Sequence, residues 1–335
     1  EDGTAPEGDP NDLAALQQVL TTNADLAVAM YTDSIQTAED MRTAIDAFVA
    51  NPTPATLAAA RDAWLVAQEP YSQTEVYRFR SSPIDDTDYD PSNGEDGPEL
   101  EINSWPLGEG LIDYVVAGSD FGDNHINVTE HETGVMSPIP QNNIINSTNI
   151  PIDENLLAAN VSAADERDVI TGYHAIEFML WGQDLNDGGG ADAPRDATPG
   201  QRPHTDYLQN QDCTSGPTQH DEGMLCARRA AFLQLVTDKL IDDLTEVRDG
   251  FAEGSSYRAA FAEVTDLDTA KRRFLEILTG MGTLSEGELG GERMQIALAA
   301  NSQDDEHSCF SDNTHRDILL NAEGIAHPFR REHPA

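Results

Sequence analysis

Two ionisable side chains lie three residues apart in an otherwise apolar stretch of the sequence. The stretch runs from Gly172 to Trp181 and contains His174 and Glu177, which share one face of the predicted helix. Burying such groups is costly unless they are paired or bound to a ligand. An imidazole beside a carboxylate suits a transition metal such as iron or zinc. The alternative is a neutral histidine that is hydrogen-bonded to a glutamate in a polar core.

Other apolar segments also carry carboxylates, arginines and aromatic side chains. Glu288 and Glu292, for example, lie one helical turn apart, and residues 304–315 gather many further candidate ligands. Each segment alone is more often a solvated face or an ion pair. Together they predict a further metal ligand, Glu75, and a set of supporting or substrate-binding residues: Arg78, Glu109, Asp113, Glu288, Glu292 and Arg293.

The sequence lacks the usual zinc-peptidase motifs. It contains no His-Glu-x-x-His, and Phe178 after Glu177 excludes the inverse form His-x-x-Glu-His. A catalytic zinc would need another ligand, such as His307 or a carboxylate from the first half of the chain. If the protein is a peptidase, Glu177 is the candidate general base.

Calcium is a separate possibility for the acidic segments. Asp86, Asp88 and Asp90 match the first three ligand positions of an EF-hand loop. Pro91 stands at the turn glycine and Gly97 at the position of the bidentate glutamate, so an EF-hand is rejected. An irregular calcium loop remains an alternative here, and a weaker candidate lies at a second site: Asp184, Asn186 and Asp187.

Composition limits the classes of partner. The 335 residues include 19 Lys and Arg against 61 Asp and Glu, a formal net charge of -42, which excludes unaided nucleic-acid binding. A surface adapted to high salt is the simplest explanation of this acidity. No apolar run approaches the roughly 20 residues that span a bilayer, so no transmembrane segment is expected.

The N-terminal residues and the cysteines suggest a compartment outside the cytoplasm. The polar, Pro- and Gly-rich residues 1–11 are expected to be a flexible acidic lead left after removal of a signal peptide. Cys213 and Cys226 flank a polar segment and form a plausible disulfide, which would indicate an oxidising compartment. Cys309 is left over, and a buried thiol is expected for it.

Long amphipathic helices dominate the pattern, and period-two alternation is almost absent. Asp12 is predicted to cap a first helix, and Thr53 a second that runs towards Phe79. A second helical block is expected from near Ser162, followed by helices at about 223–249, 256–280 and 284–300. The fold class is therefore all-α, and we expect one helical bundle over residues 12–160 and another over 161–335.

These segments together resemble the imelysin family, which includes imelysin-like peptidases and iron-regulated protein A. The resemblance covers roughly residues 60–115 and 165–320, and the family's Gly-x-His-x-x-Glu motif is present as Gly172, His174 and Glu177. It implies two four-helix-bundle-like halves with a site between them. It also implies a periplasmic or outer-membrane-attached protein of the bacterial envelope that is associated with iron acquisition.

The residues and the resemblance favour metal binding over peptidolysis. We expect a metal held by His174, Glu177 and Glu75, most simply iron, with zinc or calcium as alternatives, because the candidate ligands mix nitrogen and oxygen. The expected partners are a metal ion or iron complex and envelope transport or receptor proteins. An imelysin-type metallopeptidase and a metal-free surface interaction protein are the alternative functions.

Overall fold

The computed structural model describes residues 12–87, 96–115, 143–158, 169–184, 198–210, 212–213, 222–300 and 305–327. Every regular element in these ranges is a helix, and none of the described residues is in a strand. The all-α prediction is confirmed. The expected helix start near Ser162 and the expected flexible lead lie outside the described residues.

Three long helices form the frame, and shorter ones connect them. The α-helices are α1 (Leu13–Ala50), α2 (Pro54–Thr74), α3 (Glu99–Ile102), α4 (Glu109–Ile112), α5 (Glu154–Ala158), α6 (Gly172–Trp181), α7 (Glu222–Phe251), α8 (Ser256–Ala262), α9 (Leu267–Thr283), α10 (Ala297–Ala300) and α11 (Thr314–Ala326). A π-helix, Leu284–Ile296, joins α9 to α10, and two 3-10 turns cover Glu75–Tyr77 and His204–Tyr207.

The first two helices begin where the sequence predicts. The Asp12 carboxylate accepts the backbone N–H of Ala14, and Thr53 and Thr56 form a reciprocal capping box at the start of α2. Pro54 occupies the first turn, where no helical partner for its nitrogen is needed. α2 ends at Thr74 and continues only as a 3-10 turn, so it stops short of Phe79.

The prediction of one continuous helix over 256–280 is wrong. α8 ends at Ala262, and α9 begins at Leu267 after the side chain of Asp266 caps it by accepting the backbone N–H of Thr269. The periodicity of apolar residues continues across the break and concealed it. The predicted helix at 284–300 is present, but its first 13 residues are wound as a π-helix.

One hydrophobic core connects the two halves of the sequence. α1 packs along both α2 and α7, and α11 packs against α2 and the turn Glu75–Tyr77. α6 lies inside this core, with all ten of its residues buried. The division into two bundles near residue 160 stays a prediction. What matters for the site is that α6, α11 and the end of α2 meet inside one core.

Gly324 sets how closely α11 approaches α2. A Cβ atom at this position would lie 2.3 Å from the carbonyl oxygen of Gln73, so backbone would have to move. We expect Gly324→Ala to lower the free energy of unfolding by about 2 kcal/mol through this overlap. The matched control is Gly282→Ala in α9, where a Cβ meets nothing within 4 Å and helix propensity alone favours alanine. Urea titrations of both variants measure the difference, and equal stabilities would contradict the expectation.

Candidate functional site

The buried helix α6 supplies the first half of the site. His174 and Glu177 are both 0% exposed, and Nδ1 of His174 lies 2.9 Å from Oε2 of Glu177. The other carboxylate oxygen, Oε1, accepts the backbone N–H of Ser311 at 2.9 Å and its hydroxyl at 2.6 Å. Glu177 thus orients the imidazole and is itself held in place from the segment before α11.

That segment and α11 supply the second half in the same way. Nδ1 of His307 lies 2.9 Å from Oδ2 of Asp317, which also accepts the hydroxyl of Ser308 at 2.6 Å. His307 is 5% exposed and Asp317 is 0% exposed. Each histidine is therefore oriented through Nδ1 by its own buried carboxylate.

The two imidazoles present their remaining nitrogens to each other. Nε2 of His174 lies 3.3 Å from Nε2 of His307, and the ring planes meet at 87°. The edge of Trp105 packs against His174, with ring centroids 4.9 Å apart. Two nitrogens this close need a proton or a metal ion between them, because facing lone pairs repel. Among the described residues no group of three or more His, Cys, Asp or Glu side chains has metal-binding geometry.

Glu75 lies in an arginine network behind the histidines. Its Oε2 accepts Nη2 of Arg293 at 2.6 Å, and its Oε1 accepts Nδ2 of Asn103 at 3.1 Å. The same Nδ2 lies 3.3 Å from Nε2 of His307. Burial opposes ionisation of Glu75, but Arg293 and Arg78 outweigh it and hold the pKa of this carboxyl below its ordinary value. Asn103 therefore links a buried, ionised glutamate to the histidine pair.

Burial keeps both histidines neutral. It lowers the pKa of His174 to about 4 and, together with the charge of Arg293, lowers the pKa of His307 well below its ordinary value. Burial raises the pKa of Glu177 well above the usual range, although the hydrogen bonds from Ser311 lower it. Neutral imidazole is the form that binds a metal.

A cavity of about 440 Å³ leads to His307. It is lined by Arg78, Glu99, Leu100, Asn103, Ser104, Trp105, Pro106, Glu288, Glu292, Arg293, Ile296, Asp305 and His307. The π-helix supplies four of these residues, so its wider winding positions one wall of the cavity. Burial raises the pKa of Glu99 to about 7, despite the opposing charge of Arg78. Because His307 lines this polar cavity and His174 does not, a ligand in the cavity would reach His307 first.

A separate buried cluster surrounds Asp113. Its Oδ2 accepts both Nη1 of Arg202 and Nε of Arg229 at 2.6 Å, and the three side chains are no more than 2% exposed. Burial opposes ionisation here too, but Arg229 and Arg202 outweigh it and lower the pKa of Asp113 to about 2. Asp206 and Tyr114 complete the cluster through a hydrogen bond between their side chains. The cluster links the turn His204–Tyr207 to α7, and its arginines are paired with its two aspartates.

A serine, a histidine and an aspartate also meet near α11, but not as a catalytic triad. The hydroxyl of Ser308 donates to Asp317, and the same carboxylate binds His307. A triad needs the serine hydroxyl on the histidine and the carboxylate behind the ring. Here both groups share the carboxylate, so the histidine is not placed to take the serine proton.

The structure brings together most of the residues that the sequence singled out. His174 and Glu177 form the centre, and five of the others surround the cavity or lie just behind it: Glu75, Arg78, Glu288, Glu292 and Arg293. Glu292 lines the cavity, whereas Asp113 belongs to the separate cluster and Glu109 is buried without lining the cavity. His307 was foreseen only as a possible extra zinc ligand.

Three site residues were not foreseen. Asp317, Ser311 and Asn103 contact the histidine pair or its carboxylates. The segment 304–315 was noted for its many polar side chains, but nothing in the sequence indicated which of them face α6. Of the calcium candidates, Asp88, Asp90, Asn186 and Asp187 lie outside the described residues.

The cysteine pairing and the character of the helices concern the cellular location of the protein. Cys213 and Cys226 form a disulfide, and Cys309 is a buried free thiol. Disulfides are typical of proteins outside the cytoplasm. Among the described helices, none combines the length and the apolar character that crossing a membrane requires.

Comparisons with known proteins complete the description of the site. The chain is similar in fold to the crystal structure of an iron-regulated protein A precursor from Parabacteroides distasonis, with a TM-score of 0.56 and 17% sequence identity. The match covers 97% of this chain and 74% of that one. Among curated proteins no match was found. The family model of imelysin, a peptidase-type family, matches residues 27–332. The chain belongs to the imelysin family.

Proposed function

We propose that this protein binds a transition-metal ion, iron in its physiological role, between His174 and His307, and that it serves iron uptake in the cell envelope. The observation that carries the proposal is the pair of Nε2 atoms, 3.3 Å apart, at the end of a polar cavity. Each Nδ1 is engaged by a carboxylate, so the ion would bind at Nε2, which in His307 also lies 3.3 Å from Nδ2 of Asn103.

The two imidazoles fit such an ion. Two ligands of a tetrahedral ion with bonds of about 2.0–2.1 Å lie about 3.3–3.4 Å apart, which is close to the spacing of the two nitrogens. A carboxylate behind each ligating imidazole is the usual arrangement of metal-binding histidines. With two protein nitrogens bound, the remaining coordination positions of the ion would be open to water or to groups from the cavity. Such an open site suits capture and release of an ion more than a permanent structural role.

Iron and the envelope have separate support. A solved structure of similar fold is named for iron regulation, and imidazole binds iron as well as zinc. The disulfide between Cys213 and Cys226 favours an oxidising compartment such as the periplasm. Attachment to the outer membrane and a downstream transporter are part of the same proposal.

Asp317→Asn tests whether the carboxylate behind His307 serves metal binding. The asparagine keeps the shape of the side chain, but it removes the charge that makes the imidazole a better ligand. We expect the Kd for Fe²⁺ or Zn²⁺, measured by isothermal titration calorimetry without oxygen, to rise about 10- to 100-fold.

The control for this experiment is Asp62→Asn, an exposed residue on α2 that neither lines the cavity nor forms a hydrogen bond with either histidine. Its Kd should stay within about twofold of the wild-type value. Tight and equal binding by wild type and Asp317→Asn, with both proteins folded, would contradict the proposed site.

A further inference from the structure

The wall of the cavity in front of His307 carries an excess of negative charge. Its lining includes four carboxyl groups, Glu99, Glu288, Glu292 and Asp305, against the two guanidinium groups of Arg78 and Arg293. The imidazole of His307 adds no charge when it is neutral. The balance of charge around the cavity therefore favours a positively charged occupant.

The two arginines pair with Glu99 and Glu288 of the lining and with Glu75 behind it, so the excess of negative charge rests on the other two acids of the wall. Nη1 of Arg78 lies 3.0 Å from Glu99, and Nη2 of Arg293 lies 2.6 Å from Glu75 and 3.2 Å from Glu288. Among the described residues, Nε of Arg78 and Nε of Arg293 each have no hydrogen-bond partner, but the charge of each guanidinium is balanced by the carboxylates around it. Neither guanidinium is left to hold an anion.

Two of the acidic side chains of the lining are not paired with a cation from the described part of the chain. Among the described residues, neither Glu292 nor Asp305 forms an ion pair or a hydrogen bond through its side chain. Glu292 is exposed and Asp305 is half-buried, whereas Glu99 is buried. They therefore lie where an arriving ion would meet them before it reaches His307.

An independent observation at the inner wall points the same way. Asn103 lines the cavity and is 3% exposed, and its Oδ1 accepts no hydrogen bond from any described residue. Its Nδ2 is occupied by Glu75 and His307. A buried acceptor without a partner is costly, and a cation or a donor such as metal-bound water would satisfy it.

We infer that the cavity admits its ligand as a hydrated or otherwise cationic metal ion, that it rejects metal bound in an anionic chelate, and that Glu292 and Asp305 determine this selectivity. The inference rests on the proposed metal-binding function and adds the chemical class of the ligand. Size permits it, because six waters at about 30 Å³ each occupy about 180 Å³. The cavity offers about 440 Å³.

Two inert complexes of similar size and opposite charge test this selectivity. Hexaamminecobalt(III) is a trivalent cation and hexacyanocobaltate(III) a trivalent anion, and neither exchanges its ligands for imidazole. Each is titrated calorimetrically into wild type, into Glu292→Gln/Asp305→Asn and into Glu39→Gln/Asp62→Asn. The last variant has the same change in net charge, at exposed helix positions that do not line the cavity.

We expect wild type and the control variant to bind one hexaamminecobalt(III) equally well. Glu292→Gln/Asp305→Asn should bind it about tenfold more weakly, since two carboxylates near a trivalent ion contribute about that factor at physiological salt. Hexacyanocobaltate(III) should not bind any of the three proteins. An equal loss in both variants, no binding to wild type, or binding of the anion would overturn the inference. Because neither complex can coordinate histidine, these outcomes are independent of whether His174 and His307 bind Fe²⁺ or Zn²⁺.

Discussion

His174→Ala/His307→Ala is expected to abolish specific metal binding, with a Kd for Fe²⁺ or Zn²⁺ at least about 100-fold higher than that of wild type. Both protein nitrogens that face the proposed ion are removed together, whereas loss of a supporting carboxylate costs about 10- to 100-fold. Each single variant leaves one nitrogen and should lie between the two extremes. Isothermal titration calorimetry under anaerobic conditions gives the three affinities on one scale.

The matched control is His204→Ala/His315→Ala, which removes two histidines outside the pair. His204 begins a 3-10 turn and His315 is exposed on α11. This variant should retain the wild-type Kd. That result would show that metal binding requires the facing pair and does not arise from histidine side chains in general. Circular dichroism checks that each variant is folded. Wild-type affinity in a folded His174→Ala/His307→Ala protein would exclude the pair as the metal site.

Asp113→Asn is expected to lower the free energy of unfolding by about 3–5 kcal/mol at pH 7. The substitution leaves Arg202 and Arg229 buried without the carboxylate that both of them bind. Breaking a buried ion pair on one side is strongly destabilising, because an uncompensated charge remains. The control is Asp238→Asn, whose partner Arg42 lies at the surface, and where about 1 kcal/mol or less is expected.

The pH dependence of the free energy of unfolding gives a second test of the interaction between Asp113 and its two arginines. The pKa of Asp113 falls from 3.8 in the unfolded chain to about 2 in the folded protein, so its ionisation stabilises the fold above about pH 4. The shift corresponds to about 2–3 kcal/mol, which is lost as the pH falls from about 4 towards 2. Urea titrations should therefore show the gap between wild type and Asp113→Asn narrowing below pH 4. A gap that is constant from pH 7 to pH 3 would contradict this account.

The sequence predicted the helices well where local chemistry decides them. Asp12, Thr53 and Pro54 mark helix starts through side chains that bond or fit only there, and the structure has them in those roles. The break between α8 and α9 was missed although Asp266 is a capping residue, because apolar periodicity was given more weight than the cap. The π-helix could not be foreseen, because its wider winding depends on packing rather than on residue type.

The candidate site was only partly predictable, because part of it is assembled by tertiary packing. His174 and Glu177 stand out because they are ionisable in an apolar helix, and burial there is visible in the sequence. Asp317 and Asn103 are ordinary polar residues in polar segments, and only the tertiary packing brings them to the histidines. Asp113 looked similar to Glu75 in sequence, yet the fold placed it with two arginines elsewhere.

Locating the metal tests the central claim most directly. Crystals of the full chain grown with Fe²⁺ or Zn²⁺ can be measured at the absorption edge of that metal, and anomalous scattering then shows where the ion lies. The account predicts one ion between His174 and His307, with both Nε2 atoms at about 2.0–2.1 Å and the remaining ligands directed towards the cavity. An ion held only by carboxylates, or one at a site that excludes both histidines, would contradict it.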